Sequence, residues 1–155
     1  MTPWSRNRVD AAIAFIRGRL DADFAGTGVQ VEFKVDPSWG QEGTTTRDGS
    51  SDVDPKHVIV VCGGHEFPLG LESGIEVACA DATNALQDDV MDLIGRPWPE
   101  LLDADSNYVD VASPASAGQV AHWQVKGEPF CAVGQLHEAV RAAGLSIKGH
   151  PVVGS

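Results

Sequence analysis

Cys62-Gly63-Gly64-His65 is the sharpest local constellation of reactive side chains in this 155-residue chain. A two-glycine turn between Val58-Ile59-Val60-Val61-Cys62 and His65-Glu66-Phe67-Pro68-Leu69 would project a thiolate and an imidazole from a hairpin tip, the donor pair of half a zinc knuckle. A tetrahedral site needs two more ligands, and Cys131 with His122 or His137 are the remaining candidates. Their spacing forms no second knuckle. The same Cys62 and His65 could act as nucleophile and base, but the sequence identifies no third residue to orient them. A buried cysteine and an exposed histidine flanking an ordinary turn is the expected reading, with no metal and no other cofactor.

Two acidic groups invite a cation or a basic partner. Asp103-Ala104-Asp105-Ser106-Asn107 has the one-three-five oxygen spacing of a calcium loop, yet Tyr108 stands where glycine is required and Pro114 where glutamate is. Asp88, Asp89 and Asp92, followed by Glu100, Asp103 and Asp105, could form one acidic surface near the end of a helix, where negative charge opposes the macrodipole. A solvated face is the simpler expectation, and a docking surface for a basic protein the alternative. Trp39, Trp98 and Trp123 are candidate interface anchors, since aromatic side chains dominate contact energetics, with core or loop packing the simpler expectation for each.

The composition narrows the class. A net charge of -11 argues against direct binding to nucleic-acid phosphates or anionic lipid. Three cysteines are too few and too odd for a disulfide framework, and a reducing, cytoplasmic setting is expected. There is no long apolar run to enter a membrane. Phosphate-binding loops, dinucleotide glycine fingerprints and serine nucleophile elbows are absent, which points away from an enzyme.

The elements that would carry these groups follow from periodicity. Val9, Ile13, Ile16, Leu20 and Phe24 recur at helical spacing and predict a helix from about Ser5 to Phe24. Val29 to Val35 alternates as a half-buried strand. Residues 37–56 carry Trp39 and Val53 as their only large apolar groups and read as a mobile loop. Ile75, Cys79, Ala82, Leu86, Val90 and Leu93 mark one face of a long central helix; Ser73 and Glu76 have capping-box spacing, and Gly95 with Pro97 ends it. Cys79 lies on that apolar stripe and reads as a small buried hydrophobe. Beyond it come an acidic connector from Glu100 to Asp105, strands at Tyr108–Val111, Gln119–Val125 and Pro129–Val133, a loop over Ser113–Gly118, a short helix near Gln135–Ala143 and a loose tail over 146–155. The expected fold is a single α+β domain ordered α-βββ-α-βββ-α, with halves at 1–72 and 73–145 and two small antiparallel sheets on the central helix.

The block Ala85-Leu86-Gln87-Asp88-Asp89-Val90-Met91, with Gly95-Arg96-Pro97-Trp98-Pro99, His122-Trp123 and Phe130-Cys131-Ala132-Val133-Gly134-Gln135-Leu136, resembles small proteins common in actinobacteria and their phages. In those relatives a helix leads into a Trp-Pro pair and a small β unit that often carries zinc-ribbon cysteines. Here Leu101, Leu102 and Val125 occupy the corresponding cysteine positions, so the resemblance implies a provenance and no ribbon metal. A coarser resemblance, of element order alone, is to phage tail-terminator and neck proteins. Together these imply a non-enzymatic protein-binding or structural role in the cytoplasm or in a virion, through a protein partner or self-association. A ring component of phage type and a small zinc-binding protein using Cys62 and His65 are the alternatives.

Overall fold

The computed structural model describes residues 4–36, 52–116 and 119–149; Trp39 and residues 37–51 of the expected loop lie outside the described residues. The α+β class holds. Three helices, α1 (Arg6–Phe24), α2 (Ile75–Ile94) and α3 (Leu136–Ala142), alternate with short antiparallel strands.

In the first half a ribbon joins β1 (Trp4–Ser5) to β3 (Asp52–Val53), so the loop expected over 37–56 is ordered at its end, with a 3-10 turn at Pro55–His57 following. The main sheet runs β2 (Val31–Val35), β4 (Val58–Cys62), β5 (His65–Pro68), with β4 in the centre. Its register pairs Val31 with Cys62 and Cys62 with His65, as the alternating and continuous apolar patterns require. Val58, Val60 and Cys62 point into the core from alternate positions.

The second half departs from expectation. Instead of one sheet there are two: β6 (Glu100–Leu102) lies between β7 (Tyr108–Val111) and β11 (Ser146–Ile147), while β9 (His122–Val125) lies between β8 (Ser113–Ala115) and β10 (Glu128–Ala132). The acidic connector is therefore partly strand, anchored by fully buried Leu101. The loop at Ser113 is strand as well, and the tail is held where Ile147 pairs with Leu101.

Most of each expected stripe is buried: Val9, Ile16, Leu20 and Phe24 on α1, joined by Ala12, and Cys79, Ala82, Leu86 and Val90 on α2, joined by Ala78. Ile13 and Ile75 are only partly buried, and Leu93, in the last turn, is 61% exposed. Ser5 caps α1 by accepting the Arg8 amide at 3.1 Å. The capping box at Ser73 is overturned. Leu71–Ser73 forms a 3-10 turn, Gly74 at φ 109° starts α2 without a side-chain cap, and the Glu76 carboxylate turns to Arg19. Gly95 closes α2 in the left-handed conformation, its N–H reaching the Met91 carbonyl at 2.8 Å. Buried residues from Val9 to Ile147 belong to one apolar cluster. At its middle, Phe24, Trp98 and Trp123 stack with centroids 5.1 to 6.2 Å apart. Each such aromatic pair adds about 0.5–1.5 kcal/mol beyond its buried area.

Candidate metal centre

The β4–β5 turn is the start of the site. Gly63 and Gly64 have φ of 58° and 82°, the pair of positive angles that a two-residue turn between twisted strands demands. Cross-strand pairing then sets Cys62 and His65 on the same face of the hairpin, the face that looks toward α2. From α2, Asp89 meets them. One donor atom each from Cys62, His65 and Asp89 lie within 4.8 Å of one another. His65 Nε2 stands 3.9 Å from Asp89 Oδ1.

The environments of the three donors differ. Cys62 is buried, and burial pushes its thiol up to about 12, helped by the Asp89 carboxylate, which takes the thiol proton in a hydrogen bond and opposes a second negative charge. The Asp89 side chain is only 9% exposed, against 54% for His65. Asp89 Oδ2 is buried and meets no hydrogen-bond donor among the described residues. Leaving a buried acceptor unpaired costs about 1–3 kcal/mol, so the oxygen calls for a ligand. The donor set suits a borderline transition ion: sulfur and nitrogen exclude magnesium and calcium, and a tetrahedral zinc site would set its ligand atoms roughly 3.3–3.8 Å apart. Exposed His65 is free to close that difference. A thiol held protonated is a poor nucleophile, and neither burial nor the Asp89 carboxylate activates Cys62.

The remaining candidates are distributed elsewhere. Cys131 lies in β10 opposite Trp123, its thiol pushed to about 12 by burial with Asp23 adding to it, and it does not join the cluster. His122 is buried with Nδ1 2.8 Å from the Val120 carbonyl, and His137 Nε2 donates to the Asp23 carbonyl at 2.9 Å. Neither reaches Cys62. Trp98 and Trp123 are core residues, and Trp123 donates its indole N–H to Asp23, so core packing, and not an interface, is where these two candidate anchors lie. The acidic group is divided: Asp88 and Asp92 are exposed, Asp89 turns inward, and Glu100 lies 3.5 Å from Lys148. Asp103 shapes the turn between β6 and β7, accepting the amides of Asp105 and Asn107 at 2.9 Å each. Cys79 is buried as expected, its thiol pushed up to about 11 by burial.

Sequence reasoning missed Asp89 as a partner of the hairpin. The signal was its helical phase: Asp89 follows Leu86 by three and precedes Val90, and so borders the buried stripe, whereas Asp88 and Asp92 lie four apart on the outer face. It also missed two interior polar clasps. Asp23, fully buried, accepts Trp123 Nε1 at 2.7 Å, the Gly134 amide at 2.6 Å and the Leu136 amide at 3.0 Å, the last at the start of α3. Arg19 donates to the carbonyls of Val133 and Ala121 and to Glu76, which also accepts the Ala121 amide. Both clasps are structural in geometry, each tying a side chain of α1 to backbone groups of the second half and to one further side chain.

No family model, no curated protein and no solved structure matches this chain.

Proposed function

We propose that this chain is a non-enzymatic binding protein that holds one divalent transition ion, zinc by donor preference, between Cys62, His65 and Asp89. The observation that carries the reading is the buried, unpartnered Oδ2 of Asp89 beside a thiol and an imidazole. A cation turns that unpaired acceptor into an attraction and relieves the repulsion between carboxylate and thiolate. Protein purified without a histidine tag and dialysed against zinc should retain one equivalent, and Cys62→Ser should retain none. Wild-type protein that binds no zinc above the level of that variant sinks the reading.

A second reading keeps a protein partner or self-association as the role, favoured by Leu93, 61% exposed beside exposed Asp92 at the end of α2. An exposed leucine at the end of an acidic helix is a surface that a partner with an apolar and basic face would cover. Sedimentation tests self-association directly: an oligomer that dissociates in Leu93→Asp supports it, and a monomer at all concentrations ends it.

A further inference from the structure

The geometry points to an open fourth coordination position: the ion held by Cys62, His65 and Asp89 exchanges its solvent ligand for a small neutral or singly charged nitrogen or sulfur donor. This inference rests on the metal reading above and deepens it.

Two donors come from the β4–β5 hairpin and the third from α2 facing it. Cys62 and Asp89 form the inner wall, and half-exposed His65 is the outermost donor. Among the described residues no fourth histidine, cysteine or carboxylate joins the group. The neighbouring carboxylate, Glu66, belongs to the opposite face of β5 by strand alternation and is held 2.8 Å from Lys34. At the tip, a methyl group added to Gly64 would meet nothing within 4 Å, and the His65 side chain, 54% exposed, is the solvent-facing side of the group. Three protein ligands with a vacant direction is the arrangement that leaves zinc a water to exchange, unlike the four-ligand set of a structural site.

Charge and shape set the class of incoming ligand. Thiolate and carboxylate together neutralise a dication, so the filled site offers little attraction to polyanions, and the chain's net charge of -11 repels them further. Phe67, two residues from His65 on the same strand face, places its ring 6.1 Å from the imidazole. That apolar ring beside the imidazole favours a compact organic donor such as an alkyl thiol or an imidazole. The competing arrangement is also built in: Asp89 can bind through both oxygens, with Oδ2 closing the fourth position.

Cobalt(II) replaces zinc and makes the outcome visible. The metal alone is added to the full chain, and the expected result is a sulfur-to-cobalt charge-transfer band with four-coordinate visible bands. Imidazole, and separately a small alkyl thiol, are then titrated in. The visible bands should shift and saturate at one added ligand per cobalt, while inorganic phosphate leaves them unchanged. A charge-transfer band whose visible spectrum ignores imidazole and thiol overturns the open position but leaves the metal site standing. Absence of the charge-transfer band overturns both. Cobalt released into solution by the added ligand, read by loss of the charge-transfer band, also overturns the open position.

Discussion

Gly63 and Asp89 are so close that a methyl group on the glycine would lie 2.6 Å from the aspartate carboxylate. The hairpin backbone thus forms one wall of the Asp89 position, and the turn and the metal donor are a single construction. Gly63→Ala should weaken zinc binding by at least about 100-fold, more than the 10–100-fold of losing an outer partner of a ligand. Gly64→Ala bears a similar backbone cost of about 1–2 kcal/mol at positive φ, yet has free space and should keep its zinc affinity. Calorimetric titration of the two variants checks this; equal loss in both would show that only the turn matters.

Asp89→Asn separates binding from folding. The amide nearly preserves shape, removes a carboxylate from a buried place and supplies its own donor to the thiol side. Zinc affinity should fall at least about 100-fold, while the unfolding free energy of metal-free protein holds or rises by up to about 1 kcal/mol. A metal-free variant destabilised by several kcal/mol would make Asp89 a structural residue.

Asp23→Ala should cost about 3–5 kcal/mol, because an indole N–H and two amides lose their shared acceptor inside the protein. Burial, outweighing the bonds from Trp123, Gly134 and Leu136, holds this carboxyl above its ordinary 3.8. The folded state therefore binds the proton more tightly than the unfolded chain does. Asp23 contributes most below about 3.8, and part of that contribution is lost as pH rises through the folded value. Urea midpoints of wild type and Asp23→Asn, compared across the acid range, should converge as pH increases.

Glu76 carries the opposite sign. Burial pushes it up, but the Arg19 hydrogen bond, the Ala121 amide and the Arg19 charge outweigh burial and hold the carboxyl below its ordinary 4.5. Its stabilisation is present above 4.5 and is lost as pH falls through the folded value. In Glu76→Gln the acid-side decline in stability should be shallower. Arg19→Lys should cost about 1–3 kcal/mol at neutral pH, because a single ammonium cannot reach Glu76 and the carbonyls of Val133 and Ala121 together. Chemical denaturation of both variants reads these terms.

What could be read from the sequence was local. The stripes of α1 and α2, the Gly95 stop and the Cys62–His65 pairing depend on residues within a few positions of each other. The second half was harder because its sheets are built from strands of three to five residues, and from β11 of only two, which pairs with β6 far back in the chain. Leu101 is the sole fully buried residue of β6, and its partner Ile147 is forty-six positions away, so neither segment shows a period. Ser73 and Glu76 match a capping pattern that would stand in isolation; Arg19 draws the glutamate elsewhere. The candidate site divides the same way. Two of its donors are neighbours across a turn, while the third arrives from a helix face whose direction only the packed fold defines.

The Asp23 clasp bears on how the chain assembles during synthesis. Its carboxylate is satisfied by groups 100 to 113 positions further along, and the Arg19 guanidinium reaches 102 and 114 positions onward. The helix made early must wait for Leu136 to emerge before its interior charges find their mates. Until then those side chains stay hydrated, and the nascent N-terminal segment is poorly committed to its final dock. A ribosome stalled before residue 134 would display that helix loosely held, which makes it the natural handle for chaperones and proteases alike.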